Sequence, residues 1–214
     1  MAESEQNASL HLVHDERAEA VRRDRSAFVD QWLQRVAETK SERELVVLAF
    51  RHCHEMVYAT AHRITGSRAE AEDVTQSVFE ALTRNLSELR DPARVPGFLK
   101  TTAVRTSLRY LRKRRWWRGR RAALVLAEAE AATTSEDAHA TAAVRQLLEH
   151  LNGEERAAVV LKFVEQHSFE EVARLMDASI STVQRRLESA RRKVAALVEG
   201  DLQLAMLRRM GAVK

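Results

Sequence analysis

A dense basic run with aromatic side chains is the first segment whose residue types indicate a chemistry. Residues 105–121 contain eight Arg and one Lys, no acidic residue, and Tyr110, Trp116 and Trp117. Arginine neutralises phosphate and aromatic rings stack on unpaired bases, so this composition is typical of a surface that binds single-stranded nucleic acid. The alternative is a helix end whose Arg side chains cap carbonyl groups while the Trp pair closes a core. Nine basic residues exceed what capping needs, which favours nucleic acid.

A second candidate site lies towards the C-terminal end, where the sequence predicts a helix-turn-helix. Ser168 and Glu171 have the spacing of a capping box, and an apolar stripe at i, i+3, i+4 and i+7 follows. Asp177 interrupts the pattern and Ser179 offers a second N-cap. The next helix is longer and has a basic outer face, which is the geometry that places a recognition helix in the major groove. The alternative is a solvated helix in a bundle.

Helices must position both sites, because the chain reads as all-α. It has only two Pro and six Gly, and it is rich in Ala, Leu, Glu and Arg. Capping-box spacings at Ser41 and Asn152 and a C-cap Gly66 mark further helix ends. We predict two small helical domains joined by a linker, the C-terminal one a helix-turn-helix bundle. The predicted divisions are an N-terminal extension 1–40, a helical domain 41–118, a linker 119–143, a helix-turn-helix domain 144–200 and a tail 201–214.

Within the extension, residues 1–24 lack sustained periodicity and are expected to be mostly flexible. A helix is expected around 26–39, where Trp32 falls on the apolar stripe.

Several classes of protein and site are disfavoured. The single cysteine, Cys53, rules out an internal disulfide framework and fits a reducing compartment. His52, Cys53 and His54 are adjacent on a predicted helix, so they diverge by about 100° each and cannot converge on one metal ion. No nucleophile motif or phosphate-binding glycine loop occurs, so we expect no enzyme activity and no cofactor. No apolar run is long enough to span a membrane and no signal core is present, so a cytoplasmic protein is expected.

Two separated motifs resemble one family. The segment 71–79 reads AEDVTQSVF and is similar to the A-E-D-x-x-Q-x-x-F signature of the extracytoplasmic-function (ECF) group of bacterial RNA polymerase sigma factors. Residues 98–114 are similar to that group's promoter-melting helix. Residues 151–190 are similar to its second domain, which ends in the pattern T-V-x-x-R-L-x-x-A-R at 182–191. The motifs occur in the order and spacing of the family.

The resemblance implies a subunit that binds core RNA polymerase and directs promoter recognition, DNA melting and transcription initiation. The implied partners are the clamp helices of the largest polymerase subunit, the flap of the second-largest subunit, and promoter DNA. An anti-sigma factor often holds members of the family inactive. The expected contacts with core polymerase are Asp73 and Gln76, with Glu80 added because it shares their face. The expected contacts with the −10 element are Phe98, Arg105, Arg109, Tyr110, Arg112, Lys113, Arg114, Arg115 and Trp116. The expected contacts with the −35 element are Ser179, Ser181, Thr182, Gln184, Arg185, Arg186 and Arg191.

The sequence departs from the family pattern at several of these positions. Phe98 stands where Trp is usual, Arg105 where Asn is usual and Arg109 where Asp is usual, so the melting helix is more basic than normal. Asp177 replaces a Gly in the turn, where Asp tolerates a left-handed conformation. Gln184 stands where Lys is common, so the −35 preference does not carry over.

Two rival hypotheses remain open from the residues alone. One is a stand-alone helix-turn-helix regulator that acts as a dimer without polymerase. The other is an interaction protein whose N-terminal bundle binds a partner without melting DNA. The signature around Asp73 together with the basic helix favours the sigma factor, because a simple regulator needs neither.

Overall fold

The computed structural model describes residues 2–39, 41–89, 91–120 and 148–209, with side chains described for 19–21, 23–39, 41–89, 91–114 and 148–197. The helices are α1 (Ala2–Ala37), α2 (Glu42–Thr65), α3 (Arg68–Asn85), α4 (Val95–Arg120), α5 (Gly153–Val159), α6 (Phe169–Met176) and α7 (Ile180–Arg209). A 3-10 turn, Pro92–Arg94, precedes α4, and a π-helical turn, Val160–Val164, follows α5. The described residues form no strand, and the prediction of an all-α fold is confirmed.

Local capping chemistry fixes where the N-terminal helices begin and end. The hydroxyl of Ser41 accepts from the Glu44 amide at 3.2 Å, and that of Ser67 accepts from the Glu70 amide at 3.4 Å. Gly66 ends α2 in the left-handed region at φ 73°, and its amide donates to the His62 carbonyl. These contacts satisfy backbone groups that a helix end leaves unpaired.

The helix-turn-helix is defined by the same chemistry. Ser168 and Glu171 form a reciprocal capping box, and Asn152 and Glu155 form another one helix earlier. Asp177 closes α6 with φ 53° and ψ 55°, the left-handed conformation expected of the residue that replaces glycine. The turn between α6 and α7 is therefore only a few residues long.

The N-terminal domain has a core formed by α2, α3 and α4, and α1 completes it. Trp32 of α1 is fully buried, and its indole Nε1 donates to the Pro92 carbonyl at 3.0 Å. Phe28, one turn earlier, stacks on His52 with ring centroids 4.4 Å apart. The helix expected around 26–39 is confirmed. The structure also shows a helix where the sequence predicted only a flexible extension, because α1 extends back to Ala2.

A second apolar cluster joins the two halves of the chain. It combines Ile64 of α2 and Val104, Leu108 and Leu111 of α4 with residues of the helix-turn-helix. The helix-turn-helix residues are Ala157, Ala158, Val160, Leu161, Val172, Ala173, Leu175, Met176 and Val183. The two domains thus pack directly on each other. The predicted linker lies outside the described residues from 121 onwards, and the tail after Gly200 continues α7 to Arg209.

We expect Trp32→Ala to lower the free energy of unfolding by about 3–5 kcal/mol, because it empties a fully buried site and removes the indole hydrogen bond to the Pro92 carbonyl. Urea unfolding followed by circular dichroism measures this. Leu33→Ala on the same helix is the control, since Leu33 is 43% exposed and its loss is expected to cost far less. Equal losses for the two variants would contradict an integral role for α1.

Candidate polymerase and promoter interfaces

One face of α4 gathers most of the predicted −10 residues. Arg105, Arg109 and Arg112 are spaced by four and three residues, so they lie on one side of the helix, with Lys113 beside them. All four are exposed, and Phe98 lies half-buried at the start of the same strip. The strip combines several cations with an aromatic ring, which suits a phosphate backbone with unpaired bases.

Two other predicted −10 residues point away from this strip. The Tyr110 hydroxyl donates to Asp73 Oδ2 at 2.8 Å, and Arg114 Nη1 donates to both carboxylate oxygens of Glu70 at 3.1 Å. Both partners belong to α3, so Tyr110 and Arg114 fix α3 against α4. The side chains of Arg115 and Trp116 lie outside the described residues.

The predicted contacts with core polymerase divide between two surfaces. Gln76 Nε2 donates to Glu80 Oε1 at 2.9 Å, and both side chains line an open groove of about 800 Å³ between α2 and α3. Asp73 instead faces α4, where it accepts from Tyr110. The shared face assumed for the three residues therefore holds for Gln76 and Glu80 alone.

The groove also contains an aromatic row that the sequence analysis missed. Phe50, His54 and Tyr58 follow one another at four-residue intervals along α2, and Phe79 of α3 packs against Phe50 with ring centroids 5.0 Å apart. Phe50 is 50% exposed, which is unusual for a large apolar side chain. The i, i+4 spacing of these three aromatic residues is the signal in the sequence that points to the row.

The predicted −35 residues cluster at the start of α7. Ser179 Oγ accepts from the Thr182 amide at 3.2 Å and also contacts the Ser181 and Thr182 hydroxyls. Gln184 and Arg185 extend from the first turns and are exposed. This group has the position of base-reading residues on a recognition helix.

The two remaining −35 candidates have other contacts. Arg186 folds back to form a short ion pair with Glu154, and Arg191 pairs with Glu188 on its own helix at 3.0 Å. The structure brings neither into the group at the start of α7.

Acidic groups of the helix-turn-helix half meet the basic strip of α4. Arg112 donates to Glu154 Oε1 from Nε at 3.0 Å and from Nη2 at 2.8 Å. Arg105 Nη2 donates to the Arg174 carbonyl at 3.1 Å and lies 3.5 Å from Asp177. Among the described residues, Arg109 and Lys113 have no such acidic partner. Two of the four cations in the basic strip, Arg105 and Arg112, are therefore paired with groups of the same chain.

A buried polar cluster lies between the two halves. Glu165 forms an ion pair with Lys100 of α4 and accepts from Thr60 at 3.2 Å, while His167 lies 3.4 Å from it and Arg63 of α2 3.5 Å. Burial by itself raises the pKa of Glu165, but the His167 hydrogen bond and the Lys100 charge outweigh it and lower the pKa to about 2. The cluster therefore holds an ionised carboxylate in a nearly dry interface.

Comparison with known protein families identifies the domains that carry these surfaces. The model of Sigma-70 region 2 matches residues 49–117, which contain the α2–α3 groove and most of α4. The model of Sigma-70 region 4 matches residues 141–194, which contain the helix-turn-helix. The chain belongs to the sigma-70 family.

The ECF group is also supported by a curated relative. The ECF RNA polymerase sigma factor SigE of Mycolicibacterium smegmatis is 28% identical over 149 residues, which cover 65% of this chain and 56% of the relative. This chain thus matches little more than half the length of that relative. The resemblance to ECF sigma factors is confirmed.

One solved structure supports the fold, and a second is more distantly similar. The sigma factor RpoE, in its co-crystal structure with the anti-sigma factor NepR from Bartonella quintana, superposes with a TM-score of 0.54 at 18% identity. The match covers 70% of this chain and 94% of that one. CnrH, in complex with the cytosolic domain of CnrY, gives a TM-score of 0.49 at 22% identity over 82% of this chain and 97% of that one.

The three adjacent residues considered for a metal site diverge, as helical geometry requires. His52 stacks on Phe28, Cys53 is fully buried in the region 2 core, and His54 faces the groove. Burial raises the pKa of the Cys53 thiol to about 12, so this cysteine is inert. Within the described residues, no helix is both long and apolar enough to cross a bilayer.

We expect acid to lower the free energy of unfolding of this sigma factor, partly through protonation of Glu165. Because its folded-state pKa is below the unfolded value, the stabilisation is complete above about pH 5 and is lost as pH falls towards 2. Unfolding free energies of the wild type and Glu165→Gln, measured from pH 7 to 3, are expected to converge on acidification. Glu88→Gln, on an exposed carboxylate just after α3, is the control and is expected to keep the wild-type pH slope. A Glu165→Gln slope equal to that of the wild type would contradict the assignment.

Proposed function

We propose that this protein binds core RNA polymerase and directs it to promoters, where it supports strand opening and transcription initiation. The observation that carries the proposal is the presence of region 2 and region 4 on one chain, each with exposed basic side chains. A stand-alone regulator needs only the helix-turn-helix, so the region 2 domain and its groove disfavour that alternative.

The −10 element is the proposed ligand of the strip formed by Phe98, Arg105, Arg109, Arg112 and Lys113. Strand opening draws on the binding energy of captured unpaired bases, which requires both cations and a stacking surface. Tyr110 and Arg114 are assigned to holding α3 and α4 together, since their side chains bond to Asp73 and Glu70.

The −35 element is the proposed ligand of the first turns of α7. Ser181, Gln184 and Arg185 are exposed there, and Gln and Arg carry the donors for bidentate contacts to adenine and guanine. Ser179 and Thr182 support the start of the helix and are placed to contact phosphate.

Core polymerase is the proposed partner of the α2–α3 groove. Its aromatic floor and its polar rim of Gln76 and Glu80 match the composition of a protein–protein contact, with an apolar centre and a hydrogen-bonding edge. The clamp helices of the largest subunit are the proposed occupant, and the flap of the second-largest subunit is the proposed partner of region 4. The protein acts in the cytoplasm without catalysing a reaction, and an anti-sigma factor is a further proposed partner.

Transcription with purified core polymerase tests the proposal. Genomic fragments are transcribed with core alone and with core plus this protein, and transcript ends are mapped. Start sites that depend on the added protein support it. Failure to bind core, together with no new start site on any fragment, contradicts it.

We expect Gln76→Ala to weaken binding to core polymerase several-fold, because it removes a polar group at the rim of the groove. Fluorescence anisotropy with labelled protein measures the affinity. Gln34→Ala, on an exposed position of α1, is the matched control and is expected to bind as the wild type does. An unchanged affinity for Gln76→Ala would remove this residue from the polymerase interface.

Arg185→Ala is expected to cost roughly 1–3 kcal/mol of binding to the preferred −35 sequence if Arg185 reads a base. The holoenzyme is titrated with that duplex and with duplexes mutated in the −35 element. Loss confined to the preferred sequence identifies base reading, whereas an equal loss on all duplexes shows a phosphate contact. Arg192→Ala, two turns later on the same helix, is the control for the general loss of one charge.

A further inference from the structure

We propose that Arg109 is a base-reading residue of the basic strip on α4, and that its target is a guanine bound through O6 and N7. This inference rests on the proposed function and deepens it, because it names one base that the −10 element of this protein contains. Lys113, one turn later on the same helix, is assigned to a phosphate.

Arg109 is one of two cations in the strip that the rest of the described fold does not use. Arg105 and Arg112 both bond to groups of the helix-turn-helix half. Arg109 and Lys113 are exposed, and in the part of the chain that the structure describes neither has an acidic partner. The donors of these two side chains are therefore free for a ligand.

Arg109 also lies on the middle line of the strip. Successive residues of a helix are rotated by about 100°, so Arg109 falls about 20° from Phe98 and about 40° from Arg105 on one side and Lys113 on the other. A helix that lies along nucleic acid faces the bases with its middle line and the phosphates with its flanks. The position of Arg109 therefore suits a base, and that of Lys113 suits a phosphate.

The guanidinium of Arg109 fits one base edge better than the other three. It carries only donors, in a rigid planar fork, so two parallel hydrogen bonds need two adjacent acceptors. In the major groove guanine presents O6 and N7 side by side, whereas adenine has one acceptor beside a donor. Thymine has one acceptor beside a methyl group, and cytosine has a donor. Bidentate binding by Arg109 therefore selects guanine.

This guanine edge is available both before and after the strands separate. O6 and N7 face the major groove while the base is paired, and they stay accessible when the base leaves the duplex. The Watson–Crick edge of cytosine also holds two adjacent acceptors, N3 and O2, but pairing covers that edge in the duplex. Only a guanine lets Arg109 form its contact on the duplex and keep it through strand opening.

The other side chains on the middle line have different chemistry. Phe98 lies about 16 Å from Arg109 along the axis at 1.5 Å per residue, so the two address different nucleotides. Its half-buried ring offers stacking, which every base accepts. Thr102, between them, donates its hydroxyl proton to the Phe98 carbonyl at 2.8 Å. Of these three side chains, Arg109 is the one with free donors that discriminate between bases.

Transcription from a pool of promoters tests the assignment. A genomic fragment with a start site that depends on this protein is randomised across its −10 element, and each template carries a downstream barcode that is sequenced in the transcript. With core polymerase, the wild type is expected to favour guanine at one position by at least about fivefold, the lower end of what a bidentate contact discriminates. Arg109→Lys keeps the charge without the fork, so it is expected to lose that preference alone.

Arg109→Gln adds a change of specificity to this loss. A glutamine amide combines one acceptor with donors and matches N6 and N7 of adenine. At the position where the wild type prefers guanine, this variant is expected to prefer adenine. A residue that acts only on the fold would not exchange one preferred base for another.

Lys113→Ala is the matched control on the same strip. It removes a cation that is assigned to a phosphate, so it is expected to lower transcription from all templates alike and to reduce the salt dependence of promoter binding. Every base preference of the wild type is expected to persist in this variant.

Four results overturn the assignment: no guanine preference in the wild type, unchanged preferences in both Arg109 variants, loss of a preference for a base other than guanine, and an equal loss on all templates by folded Arg109→Lys. Circular dichroism checks the fold, which both variants are expected to keep because Arg109 is exposed. Unfolding of both variants would assign Arg109 to stability and overturn its role as well. A wild type that yields no protein-dependent transcript from any fragment contradicts the proposed function instead.

Discussion

The packing of α4 on two cores constrains the rest of the molecule. One side of the helix, including Leu99 and Ala103, closes the region 2 core, and another side, with Val104, Leu108 and Leu111, receives region 4. The exposed basic residues of α4 are therefore confined to the strip of its surface that neither core covers. Two acidic residues of region 4 that border this interface therefore lie close to the strip: Glu154 pairs with Arg112, and Asp177 lies near Arg105.

That constraint explains why several ion pairs lie along the interface between the two domains. Arg105, Arg112, Lys100 and Arg63 all come from region 2, while Glu154, Glu165 and Asp177 come from region 4. The exposed pairs contribute little on their own, since water screens them. Glu154 and Asp177 nevertheless neutralise part of the basic strip on α4, because they lie next to Arg112 and Arg105 where the two domains touch.

The aromatic groove lies on the other side of region 2, away from this interface. Gln76 and Glu80 on its rim remain exposed, and so does much of Phe50. The packing of the two domains therefore leaves the groove accessible to solvent, whereas part of the basic strip on α4 is paired within the chain.

The sequence by itself determined the helices and their ends, because capping is a local chemistry of three or four residues. Ser41, Gly66, Ser168 and Asp177 all act where the spacing placed them. It also identified the family and most of the basic strip, since i, i+3 and i+4 spacing fixes which residues share a face. It failed for residues 2–24, where a weakly periodic segment gave no sign of the long helix that Trp32 anchors.

Only the tertiary structure decided which residues of a face reach a common surface. Asp73 turns to Tyr110 instead of joining Gln76, and Arg186 turns to Glu154 instead of joining Arg185. Glu165 and Lys100 are 65 positions apart, and neither has a local pattern that predicts the other. Such pairings depend on which helices pack together, and that is set by the sum of many apolar contacts across the chain. For the same physical reason, the sequence did not predict that regions 2 and 4 pack against each other.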